Sequence, residues 1–175
     1  MKKNEQMRFS HRKRMELNFQ WPDVPLNIVL VYPSIPPNTG NIARLCAATG
    51  SRLHLIEPLG FDVSEKAVRR AGLDYWDSVD IHIHPNFETF LEQNSRGRKF
   101  FFSTAGATIF YDAEFQPGDA LIFGNETYGL PDELINVQPP DQVLNIPIKL
   151  DNVRSLNLSN CAAIVLFEAM RQINR

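Results

Sequence analysis

Cysteine is scarce: Cys46 and Cys161 are the only two among 175 residues. That is too few for a disulfide framework, and a reduced, cytoplasmic compartment is the simplest expectation. No apolar run approaches the ~20 residues of a membrane-spanning helix. The N-terminus is basic but has neither the apolar stretch nor the small-residue cleavage site of a secretory signal, so none is expected. Charge of one sign is also missing. The 18 Lys/Arg and 20 Asp/Glu leave a formal net charge of −2, unlike a protein held to nucleic acid by bulk charge. Neither G-x-G-x-x-G nor G-x-x-x-x-G-K-[ST] occurs, so dinucleotide and P-loop chemistry lack their usual phosphate cradle. C-x-x-C and H-E-x-x-H are absent as well. His82 and His84 share a strand face without an obvious third ligand, so solvent-facing histidines are expected there and no metal.

What is present is globular: 43% hydrophobic and 22% charged residues in 175, a length close to one domain of ~150 residues. Six of the Lys/Arg (Lys2, Lys3, Arg8, Arg12, Lys13, Arg14) fall within residues 1–16 beside Glu5 and Glu16, so this stretch carries +4 and the remainder −6. Residues 1–25 therefore form a basic N-terminal arm, a candidate for disorder or for touching nucleic acid, ahead of a single domain over residues 26–175. Strand-like runs alternate with helix-like ones, the pattern of an α/β fold with a mainly parallel sheet covered by helices. Strands are expected at Leu26–Tyr32, Arg52–Glu57, Val79–Ile83, Lys99–Thr104, Asp119–Phe123 and Gln142–Ile148. Helices are expected from about Thr39 to Thr49, with Asn38 as N-cap and Gly50 as the left-handed stop. Further helices are expected from Ser64 to Ala71, after Asn86, and from about Asn157 to Ile173. The last is apolar all round from Cys161 to Phe167, which implies protein on every side. One sheet covers one side only, so a second subunit is expected on the other.

Three loops follow predicted strands, where open α/β sheets place ligands. In the first, Ile35 to Arg44 (IPPNTGNIAR), Ile42, Leu45, Cys46 and Thr49 make the inward helical face, while Asn41, Arg44 and Ala48 make another stripe. A guanidinium on that stripe suits a phosphate, a ribose hydroxyl, a partner subunit or an ordinary salt bridge. In the second, Phe123 to Pro131 (FGNETYGLP), Gly124 ends a buried strand and permits close approach to the backbone. Glu126 either accepts hydrogen bonds from a ligand or braces the loop, and Pro131 suits a helix start. The third runs from Ile146-Pro147-Ile148 through Asn152-Val153-Arg154-Ser155-Leu156-Asn157-Leu158-Ser159-Asn160. One N-cap needs one residue, Ser155 or Asn157; the surplus of small polar groups favours a ligand or an interface.

Together, IPPNTGNIARLCAATG, FGNETYGLP and IPI…VRSLNLSNCAAIVLFEAMRQ resemble the three motifs of the SPOUT RNA methyltransferases. Within that family they are similar to the TrmL/YibK-type tRNA 2′-O-methyltransferases. LHLIEPLGF and RRAGLDYWD, at residues 53–61 and 69–77, match the same subgroup in order and spacing. The resemblance covers roughly Leu26 to Ile173. It implies a C-terminal trefoil knot, S-adenosyl-L-methionine bound in it, and a homodimer with the active site at the subunit interface. It implies methylation of the ribose 2′-oxygen of the wobble nucleotide, cytidine or uridine, of tRNA. Matched by position, it implies a cofactor site of Ser103 or Thr104, Gly124, Ile146 and Ser155, with Arg44 acting on the substrate. It further implies that Asn41, Glu126 and Asn157 shape the same pocket. The chain departs from the pattern at Phe167, where tyrosine is expected, and at Asn125 and Val153, where proline and serine are expected.

Two other readings fit the same residues: the same reaction at another tRNA or rRNA position, or a catalytically silent RNA-binding dimer. Joint presence of Arg44, Gly124 and Ser155 disfavours the silent form. Lys66, Arg69 and Arg70, with the basic arm, are candidate phosphate contacts that position RNA without reading its sequence.

Overall fold

The computed structural model of the chain describes residues 17–62, 76–149 and 153–174. Among them, seven strands run in chain order as β1 (Asn27–Val31), β2 (Arg52–Ile56), β3 (Ile81–His84), β4 (Lys99–Phe102), β5 (Thr108–Ile109), β6 (Ala120–Phe123) and β7 (Val143–Asn145). They pair in parallel as one sheet in the order β3-β2-β1-β6-β4-β7-β5. Four helices accompany them: α1 (Pro36–Thr49), α2 (Phe87–Gln93), α3 (Asp132–Ile135) and α4 (Leu158–Ile173). Every residue of β1 and β6 is buried, as expected of strands covered on both faces. On one face, Ile28, Leu30, Leu55, Phe102 and Leu121 pack with Ile42 and Cys46 of α1 and with Val165, Leu166 and Ala169 of α4. On the other, Val29, Val31, Ile56, Phe101 and Ile122 lie with Phe87 and Phe90 of α2. The α/β architecture expected from the alternation is the one observed. The strand order adds what alternation could not give: β6 inserts between β1 and β4, and β7 between β4 and β5.

Two local differences from the sequence expectations have physical causes. Helix α1 starts at Pro36, not Thr39, because two prolines occupy its first turn, where a missing N–H costs nothing. Asn38 is thereby inside the helix and its side chain is released from capping. The histidine pair is the second correction. His82 is exposed and bonds Asp80 at 2.8 Å, but His84 is only 2% exposed, as is His54. Phe90 of α2 lies against both rings, at 5.2 and 5.5 Å. The pair survives burial because it is linked: His54 Nδ1 and His84 Nε2 are 3.0 Å apart, and His54 Nε2 is 3.1 Å from Asn27 Oδ1. Burial, then the neighbouring His82, His84 and Arg52, pushes the His54 pKa down to about 3. Of the basic arm, residues 17–25 form no helix or strand. Phe19 packs against the core, and Asn174 Nδ2 donates to the Gln20 carbonyl at 2.6 Å. Residues 1–16 and the expected helix bearing Lys66, Arg69 and Arg70 lie outside the described residues.

Candidate active site

The carboxyl ends of β4, β6 and β7 open into a cavity of about 610 Å³, reached also by the loop after β1. Ligands in open α/β sheets sit at this edge, where strand order reverses. Ser103, Thr104, Gly124, Ile146 and Ser155, all expected in the cofactor site, line it, together with Glu126 and Asn157. Asn41 and Arg44 do not line it; both are on the exposed side of α1.

Glu126 gathers the walls. Its Oε2 accepts from the Ser34 N–H at 2.9 Å and the Ser34 hydroxyl at 3.0 Å. Its Oε1 accepts from the Ile35 N–H and from Asn38 Nδ2, each at 3.1 Å. Burial raises the carboxyl pKa, but hydrogen bonds from the Ser34 N–H, its own N–H, Asn38 and the Ile35 N–H outweigh it and hold the group below its ordinary value. The chain of contacts continues: Asn38 Oδ1 accepts from Asn157 Nδ2 at 2.9 Å. Asn157 is the N-cap of α4, its Oδ1 accepting from the N–H groups of Ser159 and Asn160. Glu126, Asn38 and Asn157 thus join the three motif loops across about ninety to 119 residues of sequence. Asn38, 5% exposed, is the member that sequence reasoning took for a cap. The signal available was its position after two prolines, which already supply a helix start.

The second loop folds back upon itself. A Cβ on Gly124 would meet the Gly129 carbonyl carbon at 2.1 Å and the Leu130 nitrogen at 2.2 Å. The close approach that Gly124 permits is therefore made by the chain's own backbone. Asn125 and Gly129 exchange backbone hydrogen bonds of 3.0 and 2.9 Å, and Gly129 takes φ +76, a region that favours glycine. Asn125, which replaces the expected proline, ties this loop to the first: its Nδ2 donates to the Tyr32 carbonyl at 2.7 Å and to Ser34 Oγ at 3.2 Å. Its Oδ1 accepts from the N–H groups of Thr127 and Tyr128. On the far wall, Asn145 Nδ2 donates to the carbonyls of Thr104 and Gly106. Asn145 was not foreseen, since a single asparagine ending a strand carries no pattern.

The lining mixes apolar side chains (Phe102, Ile135, Ile146, Leu158) with the polar groups of Ser103, Thr104, Asn145 and Ser155. The volume falls in the range of about 300–1,000 Å³ usual for small-molecule sites. Among the described lining residues there is no lysine or histidine, Asp132 and Arg154 are the charged groups besides Glu126, and the Glu126 oxygens are already taken by donors. Burial raises the Cys161 thiol on this wall, which keeps it protonated. Most of the wall is thus apolar surface and neutral hydrogen-bonding groups, a lining suited to holding and orienting a small molecule.

The family model described as the SpoU rRNA Methylase family matches residues 25–167. A tRNA (cytidine(34)-2′-O)-methyltransferase of Burkholderia ambifaria is 49% identical over 148 residues, spanning 83% of this chain and 94% of that protein. A solved structure described as "Structural insights into the 2-OH methylation of C/U34 on tRNA" superposes with a TM-score of 0.77 at 46% identity, covering 85% of this chain and 96% of that one. An AdoMet-bound rRNA methyltransferase from Sinorhizobium meliloti superposes with a TM-score of 0.71 at 27% identity, over 86% of this chain and 57% of that one.

Proposed function

The chain belongs to the SpoU rRNA methylase family, and on that premise we propose that it methylates the ribose 2′-oxygen of nucleotide 34 of tRNA, cytidine or uridine, with S-adenosyl-L-methionine as donor. The observation that carries the reading is the Glu126–Asn38–Asn157 relay, which holds three remote loops around one cavity of suitable size. The cavity fits the donor: apolar walls for a flat aromatic ring, and hydroxyl and amide groups for polar substituents. Bound there, S-adenosyl-L-methionine supplies an electrophilic methyl group, so the chain's own task is positioning. Holding two reactants in attack geometry supplies about 7–11 kcal/mol of a barrier.

Ser103, Thr104, Ile146 and Ser155 are the proposed cofactor contacts, with Gly124 setting the loop that closes over them. Glu126 and Asn157 act as braces. Arg44 is the proposed substrate residue; a guanidinium offers five N–H donors and no acceptor, so it orients a ribose hydroxyl or a phosphate. Arg44 lies outside the cavity of its own chain, on a helix packed beside α4, whose Ile164 and Phe167 are exposed. A homodimer that covers this face and presents Arg44 to the partner's cavity reconciles these positions. A C-terminal trefoil knot belongs to the same proposal, supported by the late insertion of β6 and β7 into the sheet. With tRNA as substrate, the proposed location is the cytoplasm. The test is incubation with isotopically labelled cofactor and tRNA, followed by mass-spectrometric mapping. Label on the 2′-oxygen of nucleotide 34 is expected; label elsewhere, or none, overturns the assignment.

A further inference from the structure

Behind the loop that walls the large cavity lies a second one, of about 360 Å³. The two share Asn125, Tyr128, Gly129 and Leu130. Tyr32 and Leu59 line only the second. Tyr32 occupies the left-handed region at φ +56, an uncommon conformation for a large non-glycine residue and one often stored beside functional sites. Tyr128 stands 87% exposed at the shared wall. The floor is set by backbone contact: a Cβ on Gly60 would lie 2.7 Å from Ser34 Cα, and Gly60 N–H donates to the Pro33 carbonyl at 2.9 Å.

We infer that this second cavity seats one unstacked nucleobase of the anticodon loop, adjacent to the methylated nucleotide and stacked on Tyr32 and Tyr128. The inference rests on the tRNA reading above and adds to it the site that holds the RNA. Among the described residues no charged side chain lines the cavity, which suits a neutral base and not a phosphate. Its serine and asparagine side chains are already engaged: Ser34 Oγ donates to Glu126, and Asn125 Nδ2 donates to the Tyr32 carbonyl and Ser34 Oγ. Few groups remain to read a base edge, so recognition is by ring stacking, the mode by which single-stranded loops are held on aromatic side chains. Stacking tolerates any base. Because Asn125 spans both cavities, a base seated behind the loop presses on the hydrogen bonds that shape the donor site in front of it.

The test uses the full chain with tRNA transcripts. Tyr32→Ala is expected to raise the KM for tRNA about tenfold, the order of a lost base–aromatic stack, with cofactor affinity by calorimetry unchanged and Tyr32→Phe close to the parent. Tyr128→Ala, exposed and so free of a folding cost, is expected to raise the same KM. An abasic nucleotide placed in turn at the positions flanking the target should reproduce the loss at one position, and Tyr32→Ala should add nothing on that transcript. The salt dependence of tRNA binding should not change in the tyrosine variants, since no phosphate contact is removed. A normal parent reaction with KM unaltered in both alanine variants, losses that multiply at every abasic position, or a reduced salt slope would each overturn the stacked base while leaving the methyltransferase reading standing. Absence of methylation by the parent chain would instead overturn that reading, and this inference with it.

Discussion

Both oxygens of Glu126 are occupied by donors from the loop after β1 and from Asn38, so its chemistry is that of a clamp. Glu126→Gln would turn an NH2 group toward N–H donors on one side, break at least one of those contacts and remove the charge from the rest. Cofactor affinity should fall by about tenfold or more, since hydrogen bonds to a charged group are worth about 1.5–3 kcal/mol. Calorimetry measures this, and unchanged affinity would remove Glu126 from the site. Because its pKa lies below the ordinary value, the carboxylate stays ionised in mild acid and the clamp is lost only as pH falls through that depressed value. His54 and His84 behave differently. Both pKa values are lowered, that of His54 to about 3, so the unfolded chain takes up protons below about 6.5 while the folded chain takes them up only at lower pH. Stability should therefore fall as pH drops from about 6.5, by at most about 1.4 kcal/mol per pH unit for each histidine. Thermal unfolding between pH 7 and 5 reads the slope, and His54→Gln should flatten it.

At the level of elements, Gly124 joins β6 to a loop whose return leaves no room for a side chain. Gly124→Ala should cost about 1–3 kcal/mol, as overpacking does, and weaken cofactor binding with it; denaturant unfolding together with calorimetry checks both. How far such features could be read in advance depended on whether they were local. The buried strands were legible, because continuous apolar runs such as Ile28–Val31 leave no alternative. The apolar run of α4 was legible too, but its enclosure on every side is not what the chain shows, since Ile164 and Phe167 are exposed. His84 was misread because alternation along β3 treats a histidine as solvent-facing, whereas its burial depends on Phe90 arriving from α2. Asn38 was misread because its partners Glu126 and Asn157 lie 88 and 119 residues away. The insertion of β6 and β7 was invisible for the same reason: strand order is a property of pairings, not of periodicity.

For the molecule as a whole, the telling feature is that Arg44 lies outside the cavity it is proposed to serve. Phe167, 54% exposed, and Ile164, 39% exposed, give α4 an apolar outer face, although most of the helix's other apolar residues are packed inside. Phe167→Asp should convert a dimer to a monomer in sedimentation and abolish methyl transfer while leaving the fold intact. Composite sites allow a sharper experiment. Arg44→Ala alone should lose transfer and keep cofactor binding, whereas Gly124→Ala should lose the cavity and keep Arg44. Unfolded and refolded together in equal amounts, half of the dimers formed are mixed, and each mixed dimer holds one site with an intact cavity and an intact arginine. Activity should then return to about a quarter of the parent's, as isologous two-fold pairing requires. If Arg44 instead served the cavity of its own chain, no mixture would contain a complete site and activity would stay at the level of the separate variants.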